Sequence, residues 1–138
     1  MSVDELAAML TDEDPMRRRE GALGLARFGK NAAPAVGPLT RALTDGDPRV
    51  RMQAAVTLGV IGTSEASVVR ELSNAAKDDD PLVRRQVAVA LGKLGPAAVD
   101  ALPALEKLRS DSAPIVARAA EHSIQAIRAA SSSRSKEE

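Results

Sequence analysis

The chain has no cysteine, tryptophan or tyrosine, one phenylalanine and one histidine. Each absence closes a class of function. Without cysteine there is no disulfide framework, no thiolate nucleophile and no zinc-finger spacing. Without aromatic rings there are no platforms on which unpaired bases stack, and the usual anchors of protein interfaces are missing. The lone histidine, His122, has no nucleophile assembled with it, and no G-x-G-x-x-G loop is present to cradle a phosphate. Nineteen basic and nineteen acidic residues cancel, so no overall field attracts a polyanion. No apolar run approaches a membrane span in length, and the acidic opening from Met1 to Leu6 lacks the basic and apolar regions of a signal peptide. These readings predict a cytoplasmic chain, not an enzyme, with no metal and no cofactor.

What the sequence does have is a period. Pro15, Pro48, Pro81 and Pro114 stand 33 residues apart without insertion, and each opens a segment of one pattern. Such self-similarity marks a stacked-repeat solenoid, in which each unit buries its apolar face against its neighbours. Proline suits the first turn of a helix, where its missing N–H is an orphan, and Asp14, Asp47 and Asp80 just before it are placed to cap. Apolar residues follow at helical spacing: Val50, Ala54, Leu58 and Ile61 in the second unit, Val83, Val87, Leu91 and Leu94 in the third. Gly29, Gly62 and Gly95 read as helix stops. A second set of helices is marked by Leu6, Leu39, Leu72 and Leu105 in one register and Val3, Val36, Val69 and Leu102 in another. Ser2 with Glu5 predicts a capping box on the first of them. The expected fold is all-α, a solenoid of four helical hairpins with about eight antiparallel helices. Its units fall near 2–29, 33–62, 65–95 and 96–128, within a repeat domain over 1–130, and 131–138 is expected to be a disordered tail.

The segments DPRVRMQAAVTLGVIG and DPLVRRQVAVALGKLG, at Asp47 to Gly62 and Asp80 to Gly95, resemble HEAT repeats of the short, phycobilisome-lyase-like kind. Asp-Pro-x-Val-Arg, an alanine-rich middle, Leu-Gly and a final apolar-Gly carry the likeness. The first unit departs from it at Arg17, and the fourth at Ala113, Ala117 and Arg128, as terminal repeats do when one side has no neighbour. The resemblance implies a binding surface whose concave side is lined by the second helix of each unit. It also implies an enzymatic alternative, a bilin lyase-like subunit or chaperone acting on a tetrapyrrole-binding protein, although no catalytic residue carries over.

Arg18, Arg51 and Arg84 each lie one helical turn from Asp14, Asp47 and Asp80. They are read as an Asp–Arg ladder that links the stacked repeats, because both members are lost together in the fourth unit. Asp12, Asp45, Asp78 and Asp111 also recur, and are read as acid at the turn before each helix, a solubility feature.

Removing these structural positions from each second helix leaves one face. It holds Met16, Arg19, Glu20, Leu23 and Arg27; Arg49, Met52, Gln53, Val56 and Val60; Leu82, Arg85, Gln86, Val89 and Lys93; and Ile115, Arg118, Ala119, His122 and Ala126. HEAT-like repeats usually carry polar residues where Leu23, Val56, Val60 and Val89 stand. These four, with Met52 and Leu82, predict one apolar patch fringed by Arg19, Arg27, Arg85, Lys93 and Arg118. Exposed apolar area rimmed by charge marks an interaction site. The function expected is a non-catalytic adaptor or scaffold, holding a protein partner with an apolar segment and acidic flanks. A second copy in that groove would make a homodimer instead of a monomer, and nucleic-acid binding through the groove arginines is a further alternative that the charge balance argues against.

Overall fold

Each proline-led segment becomes the longer helix of a hairpin, because its capping aspartate, fixed first turn and apolar stripe act on the same residues. The computed structural model describes residues 1–137, with side chains through Ser132. The helices are α1 Val3–Met9, α2 Pro15–Ala26, α3 Val36–Ala42, α4 Pro48–Ile61, α5 Ala66–Ala75, α6 Pro81–Leu94, α7 Leu102–Leu108 and α8 Pro114–Glu137. They form an all-α solenoid of stacked pairs, α1–α2 through α7–α8. Two of the shorter helices are entered through 3-10 segments, Gly29–Ala35 and Gly95–Ala101. Pro34 and Pro96 lie in these segments, where a missing N–H and a restricted preceding residue disfavour a regular α-helix. The shorter helix α5 contains no proline and has no 3-10 lead.

The caps form as the spacing predicts. Asp14, Asp47 and Asp80 accept the backbone N–H of Met16, Arg49 and Leu82 at 2.9, 2.8 and 2.8 Å. Ser2 and Glu5 close a reciprocal capping box at 3.1 Å on each side. At the other ends Gly62 and Gly95 take φ of 71° and 62°, a region that strains any residue with a Cβ.

The core runs along the stack between the two helix sets. Leu39, Leu58, Leu72, Leu91 and Leu105 are fully buried in it, with Val50, Val83 and Val87. The second helices α2, α4, α6 and α8 pack closely on one another, while α3, α5 and α7 meet only lightly. Small residues permit the closeness. A Cβ on Gly59 would lie 3.0 Å from the Ala90 Cα, and one on Gly92 would collide with Ser123.

Two buried hydroxyls join neighbouring second helices directly. Thr57 Oγ1 donates to the Ala22 carbonyl at 2.8 Å, and Ser123 Oγ to the Ala88 carbonyl at 2.7 Å. Both stand nine residues after their proline.

Two sequence expectations are corrected. Helix α8 continues to Glu137, so 131–137 carries helical backbone where a disordered tail was expected, and Glu138 lies outside the described residues. No proline or glycine follows Pro114, and extending a nucleated helix costs far less than starting one. The stretch Pro81–Leu108 is long and apolar enough to cross a membrane, against the expectation that no run approaches that length. In the fold it is broken at Gly95, and Val83, Val87, Leu91 and Leu105 lie in the core.

Candidate functional site

The arginine ladder exists, but its carboxylates are not the ones the spacing suggested. Arg18, Arg51 and Arg84 reach forward to Asp45, Asp78 and Asp111, each 27 residues on, with Nε to carboxylate distances of 2.8, 2.7 and 2.8 Å. A second guanidinium N–H binds the other carboxylate oxygen at 3.1 Å in all three. Each arginine also donates backward, to the carbonyls of Asp12, Asp45 and Asp78 at 2.8 Å. One guanidinium therefore ties the turn of its own repeat to the turn of the next. Asp14, Asp47 and Asp80 are unavailable for this task because they cap their helices.

The recurring Asp45, Asp78 and Asp111 are thus the ladder's acid half, not a surface feature. They also accept the N–H of Asp47, Asp80 and Ala113. The Arg84 guanidinium, aided by that backbone N–H, holds the Asp111 carboxyl below its ordinary range despite partial burial. Asp47 is lowered to about 2 by the side chain of Arg49 first and its backbone N–H second. In the Asp78–Asp80 run, Asp78 serves the ladder and Asp80 caps α6, so the fold itself uses these two acids.

On the outer surface of the second-helix layer the structure exposes Met16, Leu23, Val60, Leu82 and Ile115, each between 38% and 48% accessible. The other large apolar side chains exposed to this degree among the described residues are Met1 and Val99. Arg27, Arg85, Lys93, Arg118 and His122 are exposed on the same face, whereas Met52, Val56, Val89 and Arg19 are half-buried. Met52 packs against the core. Gln53, placed on the open face by its spacing, is buried and donates to Thr57 Oγ1 at 3.2 Å.

The single patch expected from alignment resolves into two recesses. Arg85, Val89, Lys93, Arg118 and His122 line a recess of about 480 Å³ between α6 and α8, floored by Gly92, Ala119, Ser123 and Ala126. Leu23 and Arg27 line a separate one of about 380 Å³ near the first repeat, with Met1, Leu6, Met9 and Phe28. Sequence reasoning missed Gly92 and Ser123. Their signal was the repeat of Leu-Gly at Gly59 and Gly92 and of a hydroxyl at Thr57 and Ser123. Ser123 Oγ is buried and donates to the Ala88 carbonyl.

The far side of α8 is built differently. Counting from the proline, the positions of Ala88 and Gly92, which receive the next helix, become Glu121 and Gln125 in the last unit. Gln125 donates to Glu121 at 3.0 Å, and Arg109 pairs with Glu121 at 2.7 Å.

With this geometry in hand, comparison with known proteins gives a consistent answer. The family model for HEAT repeats matches residues 3–69 and 39–125. Among solved structures, an engineered protein is 25% identical with a TM-score of 0.73, covering 94% of this chain and 68% of its own. The complex of CpcE and CpcF of phycocyanin lyase from Nostoc sp. PCC7120 is 25% identical with a TM-score of 0.77; the match covers 94% of this chain but 54% of that one. Human deoxyhypusine hydroxylase in complex with glycerol is 26% identical with a TM-score of 0.72, over 93% of this chain and 44% of that one. A comparison with curated proteins gave no match.

Proposed function

The chain belongs to the HEAT-repeat family, and from that premise we propose that it is a non-catalytic adaptor or scaffold, binding a protein partner along the face formed by α2, α4, α6 and α8. The observation that carries this reading is the grouping of Met16, Leu23, Val60, Leu82 and Ile115 as exposed apolar side chains on that one layer. Apolar exposure beside charge on one face characterises interaction surfaces. Each of these side chains is already more than half covered, so completing its burial contributes roughly 1 kcal/mol, before association costs. Modest affinity from several such contacts, with orientation set by Arg27, Arg85, Lys93 and Arg118, suits a partner whose apolar segment has acidic flanks.

The test is a pull-down comparing the native chain with a Val60→Glu, Leu82→Glu double variant, with circular dichroism to verify folding. Both positions are exposed, so the variant is expected to fold and to lose its partners. An unchanged partner set in a folded variant would sink the assignment of the face. A second reading, a lyase-like subunit acting on a tetrapyrrole-binding protein, draws support from the likeness to the phycocyanin lyase complex. A change in bilin absorbance on mixing the chain with bilin and apo-phycobiliprotein would favour it over the adaptor.

A further inference from the structure

Repeats built to one pattern should leave the same gap between each pair of second helices, yet the last pair, α6 and α8, differs from the others at the positions that line a recess between them. The difference is visible in the aligned positions. Five residues after the proline the second and third units carry Gln53 and Gln86, and the fourth carries Ala119. Twelve residues after it they carry Val60 and Lys93, and the fourth carries Ala126. Gln53 fills its gap by turning inward to Thr57. In the last unit Ala119 lacks the side chain with which Gln53 fills its gap, Ala126 is shorter than Val60 and Lys93, and a recess of about 480 Å³ lies beside them, a size that holds a small ligand or a pair of side chains.

The charges around the recess are as distinctive as its shape. Arg85, Lys93 and Arg118 line it together with His122, and no acidic residue does. Many arginines elsewhere have partners: Arg18, Arg51 and Arg84 in the ladder, Arg49 with Asp47, and Arg109 and Arg128 with Glu106, although Arg19, Arg27, Arg41 and Arg70 make no ion pair among the described residues. Among the described residues, Arg85, Lys93 and Arg118 make no ion pair, and the one hydrogen bond from Arg118 is a 3.5 Å contact to the Pro114 carbonyl of its own helix. Val89, Ile115, Ala119 and Ala126 give the space between these cations apolar walls. An apolar hollow ringed by uncompensated positive charge is complementary to an apolar side chain flanked by carboxylates.

We infer that the α6–α8 recess is the anchor of the binding face: it takes one apolar side chain of a peptide segment, whose neighbouring carboxylates pair with Arg85, Lys93 and Arg118. This rests on the adaptor reading and specifies where on the face, and by what chemistry, a partner is held. The anchor is separate from the exposed Val60 and Leu82, which do not line it.

Selection from a displayed library of random dodecapeptides tests the anchor directly. The expected result is enrichment of sequences with an apolar residue between acidic ones, bound more weakly as salt rises. Ala119→Gln restores the residue type found in the second and third units and refills the recess; it should weaken the selected peptides roughly tenfold or more, as should Arg118→Glu. Enrichment of peptides without carboxylates, or no enrichment, overturns the anchor. So does unchanged binding in a folded Ala119→Gln variant. If that variant binds normally while Val60→Glu, Leu82→Glu does not, the anchor falls and the wider face stands; if all variants bind normally, both fall.

Discussion

Arg84 and Arg85 are neighbours in sequence with opposite surroundings. Arg84 is locked between the Asp78 and Asp79 carbonyls and the Asp111 carboxylate, while Arg85, about 100° further round the helix, faces a recess without acid. Arg18 and Arg19 repeat the contrast: Arg18 pairs with Asp45, and the buried Nε of Arg19 has no hydrogen-bond partner. Both faces are rich in arginine, so residue type assigns neither role. What separates them is whether the repeat supplies a carboxylate at the matching position of the next unit. On the ladder face it does at every joint, and those cations hold the stack together. On the other face it does not, and those cations remain available.

The contrast can be broken most directly at the ladder. Arg51→Ala leaves Asp78, whose side chain is only 9% accessible, without its counter-ion, and is expected to cost about 1.5–3 kcal/mol in urea unfolding. Asp78→Ala should cost a similar amount, against about 1 kcal/mol for loss of the Asp80 cap. If Asp80→Ala proved the more damaging of the two aspartate variants, the forward pairing would be wrong.

Acid probes the same joint more gently. The Asp111 carboxyl is held low in the folded chain by Arg84, so its contribution is present above the ordinary aspartate value of about 4 and is lost as pH falls through the depressed folded value. The stability difference between the native chain and Asp111→Asn should accordingly be full at neutral pH and shrink below pH of about 4. A difference that persists in strong acid would place its origin elsewhere. The smallest effect belongs to the other face: Arg85→Ala should change stability by no more than about 0.5 kcal/mol, since an exposed and unpaired side chain holds nothing in place. A loss comparable to that of Arg51→Ala would erase the distinction between the two faces.

Much of this architecture can be read before any coordinates. The spacing of Pro15, Pro48, Pro81 and Pro114 set the stack, and the caps at Asp14, Asp47 and Asp80 and the positive-φ turns at Gly62 and Gly95 followed from local chemistry. The acid partner in the ladder did not, because helical spacing pairs Arg51 with Asp47 and is silent about Asp78 in the next unit. Only the persistence of Asp111 in a unit without its own arginine hinted at a forward bond. The exposed face was legible as a register, but not its relief. Gln53 shares the offset of Gln86 and Ala119, and nothing in that spacing says that Gln53 turns inward or that Ala119 leaves a hollow. The tail was expected to be disordered because it shows no apolar periodicity, whereas α8 needed only to be continued.

A stack of near-identical units carries a hazard of its own, since any face that accepts one repeat can in principle accept another from a second molecule. Such head-to-tail contacts do not close on themselves and lead to open fibres. At the outer edge of α8, Glu121 and Gln125 replace the small residues that receive a neighbour, and Arg109 fixes Glu121 in place. Burying that carboxylate beneath a foreign helix would forfeit its hydration. A helix laid against this edge would thus meet charged and polar side chains where the inner helices offer alanine and glycine.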